Sequence, residues 1–150
     1  MRALVVGGAG FIGSNLVDRL IKDNHQVMVL DDLSTGKYEN ISNKDVLFYQ
    51  KDITSFEDWE ILEGVDVVFH LAAKARVQPS IENPIEFNNV NVSGLLNILH
   101  NCVKYKVKRF VYSSSSSVYG NVEEFPTSET SPLNPMSPYA LQKLIGEQYC

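Results

Sequence analysis

"RALVVGGAGFIGSNLVDRLIKDN", residues Arg2–Asn24, contains three consecutive kinds of local order. Ala3 to Val6 is a short apolar, partly β-branched run that ends in glycine, and it reads as a buried strand. Ile12, Leu16 and Leu20, with Val17 and Ile21 beside them, form an apolar stripe at helical spacing that stops at Asn24. Between strand and helix lies "GGAGFIG", which places Gly7, Gly10 and Gly13 in the turn. A glycine triplet is a weak signal alone; a strand before it and a helix after it make it informative. Glycine permits the tight turn, the close approach of backbone to a pyrophosphate and the close packing of helix on sheet. The helix start, at Phe11 and Ile12, supplies free N–H groups and the positive end of a dipole. These five residues form the candidate dinucleotide-binding loop.

Outward from this unit the pattern repeats. "QVMVLDD" reads as a second strand and "VLFYQKD" as a third. Ser55 followed by Asp58 resembles a capping box that opens a short helix through Trp59 and Leu62. "VDVVFHLAA" is a fourth strand, and "KRFVYSS" a fifth. Between them Val92, Leu95, Leu96, Leu99 and Val103 recur at helical spacing and predict an amphipathic helix from Asn91 to Tyr105. Strands alternating with helices predict an α/β fold: a doubly wound, Rossmann-type parallel sheet with right-handed crossovers. Pro126 to Pro138 holds four prolines among Ser, Thr and Asn and reads as a loop. Ser137 as N-cap and Pro138 at the first helical position start a last helix under Tyr139. The sequence stops at Cys150 within that helix, so residues 1–150 read as a dinucleotide-binding domain whose substrate-binding partner lies beyond it.

Composition bounds the chemistry. Hydrophobic residues at 44% and charged residues at 21% are globular values. The formal net charge of -5 disfavours nucleic-acid and anionic-membrane partners, which would repel an acidic protein. The apolar runs are far shorter than a membrane span, and Met1 and Arg2 lead directly into a strand without a leader pattern, so the expectation is a cytoplasmic protein. Cys102 and Cys150 form no CxxC or Cys/His cluster, which suggests structural cysteines and no metal.

Asp31 ends the second strand about 20 residues after the glycines, where a carboxylate accepts hydrogen bonds from ribose hydroxyls. That favours NAD, because Asp31 and Asp32 would repel a 2′-phosphate and no arginine lies nearby in sequence. Asp32 reads either as a second ligand of the cofactor or as a turn residue in "DDLSTG". Asp52, ending the third strand, either contacts the adenine or caps the segment after it.

The five serines Ser113 to Ser117 raise a separate question. A serine run is ordinarily a flexible spacer. Phe110, Val111 and Tyr112 before it, and Val118 and Tyr119 after it, are strand formers instead. Tyr139 and Lys143 stand four residues apart on the last helix, on one face. A tyrosine phenol, with a pKa of about 10, needs about 4 kcal/mol of help to act as a base at neutral pH. A lysine ammonium about 4 Å away, at an effective dielectric of about 20, supplies about that much.

Taken in order, the GxxGxxG run at Gly7, Asp31, "HLAA" (His70–Ala73), "NVSG" (Asn91–Gly94), "SSSSSVYGN" and "YALQK" resemble the extended short-chain dehydrogenase/reductase superfamily. Within it the sequence is most similar to the NAD-dependent epimerase/dehydratase family and its nucleotide-sugar 4-epimerases of the UDP-glucose type. The resemblance covers the whole chain but only the N-terminal half of such proteins. It implies Ser115, with Ser114 beside it, Tyr139 and Lys143 as catalytic residues. It implies cofactor contacts from Gly7, Gly10, Phe11, Ile12, Gly13, Asp31, Asp32, Asp52, Ile53, Leu71, Ala72, Ala73, Asn91, Ser113, Tyr139 and Lys143. On this reading the serines are the mouth of a strand at an active site, and Ser113, Ser116 and Ser117 also hydrogen-bond backbone or water.

The implied reaction begins with Tyr139 taking the proton of a sugar 4-hydroxyl while C4 passes hydride to NAD+. The 4-keto sugar turns over and is re-reduced on its other face. Lys143 holds the nicotinamide ribose and stabilises the phenolate, and Ser115 bonds the 4-oxygen. The implied substrate is a nucleotide sugar, foremost a UDP-hexose, and the implied assembly is a homodimer through Asn91–Tyr105 and the last helix. Related dehydratases carry an Asp-Glu pair before "VYG", where this chain has Ser116 and Ser117, which disfavours dehydration. UDP-glucuronate or UDP-N-acetylglucosamine epimerases, a reductase of the superfamily, and a dinucleotide-binding module without turnover also fit. Lys74 directly follows "HLAA" where some epimerases carry a lysine one position later, so no cofactor role is assigned to it. His70 reads as structural, and Arg76 as either a phosphate ligand or a solvated charge.

Overall fold

The computed structural model describes residues 1–150. Strand β1 (Arg2–Val6) lies at the centre of a five-stranded parallel sheet, between β2 (Gln26–Asp31) and β4 (Val67–His70). Outside them lie β3 (Leu47–Gln50) beside β2 and β5 (Arg109–Tyr112) beside β4. The helices are α1 (Phe11–Lys22), α2 (Val77–Glu82), α3 (Pro84–Asn88), α4 (Leu95–Lys104) and α5 (Pro138–Tyr149).

The period of a strand explains the two cores. Side chains alternate faces, so Ala3 and Val5 join Val27, Val29 and Val67 against Val17 and Leu20 of α1. Leu4 and Val6 face the other way, with Met28, Leu30 and Val68, onto Trp59, Leu62, Leu95 and Ile98. A sheet covered on both faces needs apolar residues at nearly every position of its central strands, which is why β1 and β2 read as continuous apolar runs. Each fully buried aliphatic side chain contributes about 1.5–3 kcal/mol to this packing.

The sequence pattern also places the end of α1. Asn24 takes a left-handed φ of 59°, and the N–H groups of Asn24 and His25 bond the carbonyls of Ile21 and Leu20 at 2.9 and 3.0 Å. This Schellman closure turns the chain directly into β2. At α5, the Ser137 hydroxyl accepts from the Ala140 N–H at 3.1 Å, with Pro138 at the first turn, as the sequence predicts.

Three expectations need correction. The Ser55/Asp58 capping box does not form: Trp59–Leu62 is a single 3₁₀ turn with no side-chain cap, and it is held by burying Trp59 and Leu62 against the sheet. The helix expected from Asn91 begins earlier, as a π-helical segment Asn89–Gly94 continuous with α3 and α4. Val118 and Tyr119 are not strand residues; they complete a 3₁₀ turn, Ser116–Tyr119, capped by the Ser115 hydroxyl accepting from the Ser117 N–H at 3.2 Å.

The strand order β3-β2-β1-β4-β5 places the β2→β1 and β1→β4 neighbours on opposite sides of the first strand. Such a reversal leaves a crevice at the carboxyl ends of the strands, which is where open α/β sheets bind ligands.

Candidate functional site

The crevice is a cleft open to solvent at the carboxyl ends of β1 to β4. Of the residues singled out from sequence, Gly7, Gly10, Asp31, Asp32, Asp52, Ile53, Leu71, Ala72 and Ala73 line it. Sequence reasoning left out Leu30, Ser34, Thr35, Gly36, Lys51, Lys74 and Val90, which line it too. Thr35 and Gly36 come with the Asp32 turn, a signal present in "DDLSTG". Lys51 and Lys74 could not be found by motif, since only the strand ends bring them to the cleft.

The glycines differ in what they are for. Gly7 has φ +81°, and a Cβ there would stand 2.6 Å from the Ala72 nitrogen, so this turn and its contact with the β4 loop both require glycine. A Cβ on Gly13 would collide with the Gly7 carbonyl, so Gly13 allows α1 to pack on the loop. Gly10 has an ordinary extended backbone, φ -74° and ψ 174°, and a Cβ there would meet only the Gly7 oxygen, at 3.4 Å. Nothing in the chain's own packing demands glycine at position 10, and without a side chain there the loop is open to close approach from the cleft. No side chain caps the first turn of α1, and no acidic residue occupies it, so its N–H groups are open to an anion. Phe11 and Ile12, at that turn, are exposed.

Asp31 is buried at the end of β2. Its Oδ2 accepts from the Ala9 N–H and its Oδ1 from the Leu33 N–H, both at 2.9 Å. The carboxylate thereby ties the glycine loop to β2 and keeps further lone pairs for donors in the cleft. Asp32 Oδ1 accepts from the Ser34 N–H and hydroxyl at 2.8 and 2.7 Å, and Asp52 Oδ1 does the same for Thr54, both at 2.8 Å. Both aspartates form local turns on the cleft wall.

The second half of the site lies where β5 meets α5. The Lys143 ammonium donates to the Ser113 carbonyl at 2.7 Å, and stands 4.8 Å from the Tyr112 ring centroid and 6.0 Å from that of Tyr139. Lys143 is 3% exposed, and this burial brings its pKa down to about 8. One of its three donors serves Ser113, which leaves two for a ligand. Tyr139 is anchored by its backbone N–H, which donates to the Ser80 hydroxyl at 3.1 Å. The Ser114 hydroxyl bonds Glu147 of α5. Ser115 sits at the head of the 3₁₀ turn, its hydroxyl donating to that of Ser117 at 3.0 Å. The serine run is thus fastened to α5 and is no spacer. Asn91 does not line the cleft; it is buried behind it, bonded to both backbone groups of Lys74.

His70 is 1% exposed, stacked against Phe110 and Tyr112 at centroid distances of 5.8 and 6.0 Å. Burial, with the Lys143 charge adding to it, pushes its pKa down from 6.5 to about 3. It is neutral at physiological pH. The unfolded chain therefore binds one more proton than the folded one between about pH 3 and 6.5, and stability falls as pH drops through that window. The expected slope from this residue is up to about 1.4 kcal/mol per pH unit. His70→Phe is expected to flatten it, as chemical denaturation at a series of pH values will record.

The family model described as the NAD dependent epimerase/dehydratase family matches residues 3–150. A UDP-glucose 4-epimerase of Mycolicibacterium smegmatis is 44% identical over 99% of this chain and 50% of its own length. Among solved structures, a UDP-N-acetylglucosamine 4-epimerase from Methanobrevibacter ruminantium, in complex with UDP-N-acetylmuramic acid, superposes with a TM-score of 0.93. It is 39% identical, over 99% of this chain and 48% of its own. A Thermus thermophilus UDP-glucose 4-epimerase in complex with NAD superposes at 0.90 with 42% identity, over 99% and 49%. The chain spans about half the length of the curated relatives it matches.

Proposed function

Because this chain belongs to the NAD-dependent epimerase/dehydratase family, we propose that it is the cofactor-binding half of a nucleotide-sugar 4-epimerase, with a UDP-hexose as substrate. The observation that carries the proposal is the meeting of β5 and α5. It puts the Lys143 ammonium on the Ser113 carbonyl, 6.0 Å from the Tyr139 ring, on the same protein as a glycine loop with room for a ligand at Gly10.

The residues present fit NAD. The glycine loop and the uncapped start of α1 receive its diphosphate, and Asp31 its adenosine ribose. Leu71 to Ala73 and Ile53 would supply apolar wall, and Ser113 and Lys143 would hold the nicotinamide ribose. Bound there, NAD supplies a reversible hydride acceptor. The chain's own residues handle the proton: Tyr139 withdraws it from the sugar 4-hydroxyl and later returns it. Lys143, buried and charged below about pH 8, stabilises the phenolate. Ser115 turns its hydroxyl from Ser117 to the sugar 4-oxygen. Ser116 and Ser117 offer no second acid and base, which is why epimerisation is favoured over dehydration.

Two further parts of the reading concern the whole protein. Exposed Leu96 and Val103 on α4 and Leu141 and Tyr149 on α5 support a homodimer through these helices. The net charge of -5 supports a protein without nucleic-acid or anionic-membrane partners, and no helix is long and apolar enough to cross a membrane; we read it as cytoplasmic.

The deciding experiment incubates the full-length protein with UDP-glucose deuterated at C4. Formation of UDP-galactose with the label retained and no net redox change is the expected result. If UDP-glucose, UDP-N-acetylglucosamine and UDP-glucuronate are all left untouched, the protein is a dinucleotide-binding module, and a net change in NAD would mean a reductase. Gly10→Ala gives an independent check of the cofactor site. The substitution suits the backbone at that position, and the chain-entropy gain of about 0.4–1 kcal/mol offsets the poorer N-cap that alanine makes, so stability is expected to stay within about 1 kcal/mol of wild type. It should also weaken NAD binding at least about tenfold, since the new methyl group points where the ligand lies. Thermal denaturation and calorimetric titration read the two effects separately.

A further inference from the structure

The side chain of Asn91 can face only one way. Its Oδ1 accepts from the Lys74 N–H at 2.8 Å, and its Nδ2 donates to the Lys74 carbonyl at 2.9 Å. These two backbone bonds fix which end of the amide carries the hydrogens, an assignment that an isolated asparagine leaves open. The second Nδ2 hydrogen then points into the protein, where Asn91 is 3% exposed, and it needs an acceptor. Gln142 Oε1 provides it at 3.0 Å.

Gln142 is itself only 4% exposed and immediately precedes Lys143 on α5. Asn91 stands in the π-helical turn Asn89–Gly94, where the wider winding turns one residue out of the α-helical register. The same turn packs on the cleft from a second direction: a Cβ on Gly94 would meet Ile53 Cγ1 at 2.7 Å, and Ile53 lines the cleft. One hydrogen-bonded chain therefore runs from the helix carrying Tyr139 and Lys143, through Gln142 and Asn91, to the backbone of Lys74 on the cleft wall.

We propose that Gln142 is a positioning residue: through Asn91 it holds the Leu71–Lys74 wall in register with α5, so that cofactor and catalytic helix share one frame. This rests on reading the cleft as the NAD site. The residue at position 142 must present an acceptor on a stem long enough to reach Asn91. Without it a buried donor loses its partner, and the cheapest relief is for the Asn91 amide to rotate and release Lys74.

The test uses the full-length protein and compares wild type, Gln142→Met, Asn91→Ala and the double variant. NAD affinity is measured by calorimetry after the resident nucleotide is removed, and thermal stability is measured without nucleotide. Gln142→Met, which keeps the length and volume of the side chain, is expected to weaken NAD binding about tenfold. The double variant is expected to bind no more weakly than Asn91→Ala, because Gln142 acts only through Asn91. A merely structural glutamine would lower the melting temperature and leave NAD affinity unchanged, and that result overturns the proposal. So does a Gln142→Met effect of equal size in the Asn91→Ala background.

If Gln142→Met does not fold, Gln142→Glu keeps the acceptor oxygen on the same stem. It is expected to bind NAD within about threefold of wild type, and loss of NAD at unchanged stability overturns the proposal. A wild-type protein that takes no NAD overturns the functional reading first, and this inference with it.

Discussion

Tyr139→Phe in the full-length protein is expected to keep NAD bound and to lose turnover by about 10³-fold. The size follows from the role: a positioned acid or base contributes about 10²–10⁴-fold, and phenylalanine removes only the atom that carries the proton. The fold should not notice. Tyr139 is anchored through its backbone N–H on the buried Ser80 hydroxyl, and α5 starts on the Ser137 cap and Pro138; none of these depends on the phenol oxygen. Steady-state epimerisation and the nucleotide released on denaturation are the two measurements. Loss of turnover with NAD retained supports the assignment, and near-normal rates would sink it.

Lys143→Met should have an effect of similar size on turnover, at least about 10²-fold, with an opposite signature in stability. The wild-type ammonium is buried, and its pKa of about 8 lies below the ordinary 10.5. Between those values the unfolded chain binds the extra proton, so wild-type stability rises with pH across the window. Below pH 8 the burial cost stands in full, at about 3 kcal/mol. Methionine removes that cost but leaves the Ser113 carbonyl without its donor, which costs about 1–3 kcal/mol. The variant should therefore be within about 2 kcal/mol of wild type at neutral pH and should lack the alkaline rise. Wild-type turnover, in turn, should fall above about pH 8 as Lys143 loses its charge. Denaturation midpoints and a pH–rate profile from pH 6 to 10 read both; a flat profile through pH 8 would remove Lys143 from the proton chemistry.

Both predictions rest on residues that share one face of the last helix and take their roles from the family resemblance, and what makes that helix legible in sequence is local. The strand, glycine turn and helix of Arg2–Asn24 each depend on neighbours within a few positions, so periodicity and turn chemistry suffice to read them. The Ser137–Pro138 start of α5 is of the same kind. Where the reading failed, the cause lay at longer range. Ser55 and Asp58 have the residue types of a capping box, yet the connection from β3 must cross β2 and β1 to reach β4, and on the way it buries Phe56, Trp59 and Leu62 in the core with only one 3₁₀ turn. Val118 and Tyr119 have strand propensity, yet the chain must turn there because Asn134 donates to the Val118 carbonyl at 2.9 Å and draws the following loop back.

The sequence by itself determined the parallel α/β layout, the glycine turn with Asp31 after it, and the Tyr139–Lys143 face of α5, because each is a matter of period and spacing along one segment. Tertiary structure alone decided which lysines reach the cleft, that the serine run is fastened to α5 by Lys143 and Glu147, and that Gln142 meets Asn91 across 51 residues of chain. Those contacts join segments whose local patterns are independent of one another. The cost of bringing them together is met by the sheet and its two cores, and no segment's own composition records the result.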